Sequence, residues 1–169
     1  SEEEQSNGLG DRTFTLYYQE QYSISVGKWG HVTDCFDQVL DQNTGEITVF
    51  LDPGYYDDFT FDFGWSANNL AAAGHWERGK PNGTTVGNSA PSADVTFDCR
   101  DAAYVTGNAL DVNQNGDDVD GGEVTLISPV MDLTSYTDPQ VNYARWFYNQ
   151  FGSTAPDDSL RISVSNGTT

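Results

Sequence analysis

Residues 111–129 read Asp-Val-Asn-Gln-Asn-Gly-Asp-Asp-Val-Asp-Gly-Gly-Glu-Val-Thr-Leu-Ile-Ser-Pro. Eight oxygen-bearing side chains fall in the first thirteen positions, among three glycines and with no cationic residue. So many carboxylate and amide oxygens repel one another unless water or a hard cation screens them. Ca²⁺ takes six to eight oxygen ligands from a flexible loop, so it is the cation this composition suits. Asp111, Asn113, Asn115, Gly116 and Asp117 stand where positions 1, 3, 5, 6 and 7 of a helix-flanked calcium loop would be. The second half breaks that pattern, because position 12 is Gly122 and Glu123 comes one residue late. The flanks are rich in Thr, Val and Tyr, and residues 124–127 end at Pro129, so strands rather than helices are expected on both sides. The competing reading is a solvated acidic turn between two strands.

Working outward, the same strand character recurs. Residues 13–18, 22–26, 46–51, 59–63, 103–106, 124–127, 141–149 and 160–164 are short, alternating or β-branched runs. Turn residues separate them every eight to fifteen positions, which predicts an all-β jelly roll or β-sandwich of two antiparallel sheets. In residues 141–149 both faces are bulky, so a central, doubly covered strand is expected, with Arg145 paired to a buried carboxylate. Residues 66–73 are the only helix-friendly stretch, and 80–92 read as a long surface loop. Residues 1–12 read as a flexible acidic tail, 13–56 as a β-rich first segment and 57–169 as the main module.

Seven basic against 26 acidic residues give a net charge of −19, which excludes binding to a phosphate backbone as the main function. The same charge disfavours anionic membrane surfaces, and no apolar run approaches the roughly 18 residues of a membrane helix. The chain starts at Ser1 rather than Met, so a processed or excised form is expected and the missing leader is uninformative. Cys35 and Cys99 lie 64 apart with no CxxC, and His31 is the one histidine near either, which argues against zinc. For an extracellular protein one long-range disulfide between them is expected, the alternatives being two free thiols or pairing with another segment.

The most enzyme-like cluster is His75-Trp76-Glu77-Arg78, yet no nucleophile elbow, HExxH or phosphate loop accompanies it. It is read as a core Trp76 beside a local Glu77–Arg78 ion pair, and no catalytic residue is assigned. Trp29, Trp65 and Trp76 are candidates for stacking against glycans, with Trp29 expected to be the most exposed; the competing reading is that they are core.

From Asp57 onward the chain resembles MAM-like bacterial extracellular jelly-roll modules, found as accessory domains on secreted zinc carboxypeptidases and other exported proteins. The resemblance rests on Asp57-Asp58-Phe59 with Gly64-Trp65, on Trp76-Glu77-Arg78-Gly79-Lys80-Pro81, and on Tyr104-Val105-Thr106-Gly107-Asn108. It continues through Asp118-Val119-Asp120-Gly121-Gly122, Thr125-Leu126-Ile127-Ser128-Pro129, Asp132-Leu133, Tyr143-Ala144-Arg145-Trp146-Phe147-Tyr148-Asn149 and Asp157-Asp158. It implies a two-sheet jelly roll, structural Ca²⁺ near Asp118 and Asp120, and an accessory rather than catalytic role. Asp58, Asp157 and Asp158 thereby join Asp111, Asn113, Asn115, Asp117, Asp118 and Asp120 as candidate ligands. Thr60 stands where the family usually carries an acidic residue, and such modules run past a strand like residues 160–165. Another strand, from residues 13–51, from further chain or from a second subunit, is therefore expected to complete the sheet. Other domains, other subunits and possible glycans are the expected partners.

Overall fold

The alternation of Gln21-Tyr-Ser-Ile-Ser-Val26 builds the first hairpin. In the computed structural model, which describes residues 2–85, 89–110, 118–150 and 158–167, β1 (Gln21–Val26) pairs antiparallel with β2 (Asp34–Val39). Tyr22, Ile24, Phe36 and Gln38 turn to the half-buried face, with Ile24 opposite Phe36. On the other face Ser23 and Gln21 donate to the two oxygens of Asp37, at 2.5 and 3.0 Å. This division between the faces is what the two-residue period of a strand dictates.

Two more antiparallel pairs complete the ladders. β3 (Ser66–Asn69) lies against β6 (Val124–Ile127), and β4 (Trp76–Gly79) against β5 (Ala103–Thr106). The fold is all-β, with no helix among the described residues and hence none long and apolar enough to cross a membrane. Its strands form three two-stranded sheets there. Phe59, Trp65 and Tyr104 make one edge-packed ring cluster, and Trp29, Tyr55, Phe61 and Phe63 make another.

Residues 13–56 are tied to the rest of the chain by one covalent and several polar links. Cys35 and Cys99 form a disulfide with Cα atoms 5.6 Å apart. The Trp29 indole donates to the Val130 carbonyl at 2.8 Å, and Tyr55 Oη accepts from the Asp132 amide at 2.7 Å. Within the segment itself, His31 and Val32 bridge to Pro53 and Tyr56.

Several elements differ from the sequence expectation. β2 is a strand that the apolar pattern does not announce, and the helix-friendly residues 66–73 begin with a strand because their backbone finds β6. Residues 59–63 are not a strand. Carboxylates of Asp57, Asp58 and Asp62 accept from the amides of Phe59, Thr60 and Gly64, so side chains take the groups a ladder would use. Phe59 also has φ of 55°, which breaks an extended run. Residues 13–18, 46–51, 141–149 and 160–164 are unladdered as well, because alternation makes a strand only where a partner edge is present.

Residues 141–149 are neither central nor doubly covered. Arg145 is exposed, Trp146 is 58% exposed, and no strand flanks this stretch or residues 160–165 among the described residues, from either part of the chain. The accessible surface is 12879 Å², against roughly 8,200 Å² for a compact monomer of this mass. Ala71 and Ala102 are the only buried hydrophobic residues among those described.

Candidate functional site

The C-terminal half of the oxygen-rich segment sits on a platform made by residues 70–74. The Asp120 carbonyl accepts from the amides of Ala72 (2.8 Å) and Ala73 (3.3 Å), and the Glu123 carbonyl from those of Leu70 and Ala71. This backbone contact works because Gly74 lacks a side chain. A Cβ there would come within 2.5 Å of the Asp118 carbonyl oxygen and of the Val119 backbone, and its φ is +70°. The platform thus spends its amides on carbonyls and leaves the carboxylates of Asp118, Asp120 and Glu123 in solvent.

Asp111, Asn113, Asn115, Asp117 and Asp157 lie outside the described residues. Asp58 is only 1% exposed, and its oxygens accept from the amides of Thr60 (3.0 Å) and Cys99 (3.0 Å), so it holds the disulfide loop to the turn at 57–60. Asp158 is exposed, and its carbonyl accepts from the Asn149 side chain. Among the described residues no three His, Cys, Asp or Glu side chains gather around one point.

A cluster that sequence reasoning did not single out surrounds the disulfide. The Tyr56 hydroxyl donates to Asp98, and that bond, more than burial, pushes its pKa up to about 12. Burial raises Asp94, opposed by the Val95 amide and assisted by the neighbouring Asp98 carboxylate; its Oδ2 is buried without a partner. Asp101 accepts from the Asp94 amide at 2.6 Å and from Lys80 at 2.8 Å, and the Lys80 hydrogen bond lowers its pKa. The spacing 94, 98, 101 in a stretch without strand pattern was the available signal. Desolvation also raises Asp57, against the pull of the Trp65 indole donating at 2.7 Å.

The expected Glu77–Arg78 pair does not form. Arg78 donates instead to the carbonyls of Phe59 (2.9 Å) and Thr60 (3.3 Å), fixing the turn that carries Asp57 and Asp58. The His75 ring meets the Ala71 carbonyl at 2.9 Å. Trp29, Trp65 and Trp76 are all half-buried, the first two within the ring clusters, so the most exposed tryptophan is Trp146 rather than Trp29. No protein family, curated protein or solved structure matches this chain.

Proposed function

We propose that this chain is a non-catalytic, calcium-stabilised β-sandwich module of a secreted multidomain protein, serving attachment, architecture or assembly. The observation that carries the reading is the oxygen-rich segment 111–123, whose end is clamped by backbone hydrogen bonds to residues 70–73 in a chain of net charge −19. Hard carboxylate and amide oxygens on a glycine-containing loop fit Ca²⁺ chemically. Asp111, Asn113, Asn115, Asp117, Asp118 and Asp120 would hold it, and the ion would neutralise their mutual repulsion. The Cys35–Cys99 disulfide accords with an oxidising, extracellular setting. Exposed Val141, Tyr143, Trp146, Phe147, Ile162 and Val164 accord with a neighbouring domain or subunit covering this stretch.

A ligand that binds only the folded chain stabilises it by RT ln(1+[L]/Kd), about 2.7 kcal/mol at a hundredfold excess over Kd. Millimolar CaCl₂ is therefore expected to raise the thermal midpoint of EDTA-treated protein by several degrees, while equal ionic strength of NaCl does much less. A midpoint that CaCl₂ moves no more than NaCl does would remove calcium from the reading.

A further inference from the structure

The first hairpin carries a second candidate site, separate from the candidate metal ligands and from the tryptophans. A depression of about 290 Å³ lies between residues 18–19 and the turn at 41–43, lined by Tyr18, Gln19, Asp41, Gln42 and Asn43. Both walls are fixed through their backbones. On one side Tyr22 Oη accepts from the Tyr17 amide (2.9 Å) and donates to its carbonyl (3.4 Å), while the Gln19 amide donates to the Leu40 carbonyl at 2.7 Å. Tyr18 is thus held between two anchored residues, yet it is 71% exposed and Tyr17 81% exposed. On the other side the turn is closed by Thr44 N–H to the Asp41 carbonyl and Asp41 N–H to Thr44 Oγ1. Asn43 N–H and Thr44 Oγ1–H both donate to Asp41 Oδ1.

The lining side chains are left unused by this scaffold. Those of Tyr18, Gln19, Gln42 and Asn43 make no hydrogen bond among the described residues, and Asp41 Oδ2 accepts none. Gln19 also adopts φ of +64°, a conformation that non-glycine residues hold only where their surroundings impose it. The result is one exposed aromatic ring beside three amide side chains and one carboxylate. Tyrosine supplies such contact area at low conformational entropy cost, and amides both donate and accept.

We infer that this depression binds a neutral carbohydrate, one pyranose ring stacking its C–H face on Tyr18 while its hydroxyls bond to Asp41, Gln42 and Asn43. Hydroxyls need both donors and acceptors, which the amide–carboxylate set provides. Glu20 and Asp41, in a chain of net charge −19, disfavour uronic or sialic acids. The site rests on neither calcium nor the tryptophans.

The test is titration of the intact chain with maltotriose, cellotriose, lactose and N-acetylchitotriose, alongside trigalacturonic acid, followed by calorimetry. The expected result is saturable binding of at least one neutral sugar with Kd between about 0.05 and 5 mM, a range suited to a small open site. Tyr18→Ala is expected to weaken that binding at least tenfold and Asn43→Ala severalfold, with Tyr18→Phe close to the parent. Circular dichroism checks that the variants retain the parent fold. Absence of binding by all four neutral sugars, unchanged affinity in Tyr18→Ala, or equal affinity for trigalacturonic acid would each overturn the inference.

Discussion

Asp94 shows how far one side chain can depart from the ordinary behaviour of its type. Burial and the adjacent Asp98 raise its carboxyl above the usual 3.8, so the fold prefers the protonated form. The sign is the reverse of an ion-paired aspartate. The stability it contributes is present below the unfolded-state pKa and is lost as pH rises through the higher folded-state value. Asp94→Asn keeps a neutral group at every pH, so it avoids the cost of burying a charge beside Asp98. Relative to the parent, the variant's urea midpoint is expected to rise between about pH 4 and pH 7. Identical pH profiles for the two proteins would show that Asp94 does not couple to folding.

At the scale of elements, the joint between residues 70–74 and 118–123 is the contact most sensitive to a single atom. Gly74→Ala places a methyl carbon against backbone that cannot rotate away, at a φ of +70°. A loss of roughly 1–3 kcal/mol in chemical denaturation is expected, combining left-handed strain with overpacking. Gly45→Ala, which meets nothing within 4 Å, serves as the control and should stay within about 0.5 kcal/mol. A Gly74→Ala midpoint no lower than the control's would refute the tight joint. β1, β5 and β6 were legible because their alternating or β-branched residues coincide with available partners. β2 was hidden because Asp34, Cys35 and Asp37 dilute its apolar pattern. Residues 59–63 misled for the opposite reason. Phe59, Phe61 and Phe63 alternate well, but alternation carries no record of the carboxylates of Asp57, Asp58 and Asp62 competing for the amides. The candidate calcium segment announced itself by composition alone. By contrast, the job of Asp58 depends on Cys99, forty-one residues away, and only the folded chain brings the two together.

For the whole molecule, the disulfide is the one covalent link between the first hairpin and the loop that carries Asp94, Asp98 and Asp101. Closing a loop of this length removes chain entropy from the unfolded state worth about 4 kcal/mol in the simplest treatment. With so few hydrophobic residues buried among those described, that is a large share of the roughly 5–15 kcal/mol that holds a typical domain together. Reduction, or Cys35→Ala with Cys99→Ala, is expected to lower stability by about 2–5 kcal/mol and to bring the Asp94–Asp101 stretch into rapid amide exchange. Unchanged exchange there after reduction would show that Asp58, Arg78 and the ring clusters suffice without it.

The same bridge decides what tension would do to the chain. A pull along the polypeptide passes from Cys35 directly to Cys99, so the 64-residue separation between them is taken out of the load path. Fully drawn out, that stretch would add roughly 220 Å of slack. With the bond intact, β3, β4 and the Asp58 turn lie outside the covalent load path and feel tension only through their hydrogen bonds to β6, β5 and Cys99, while the segment from Arg100 onward is loaded directly.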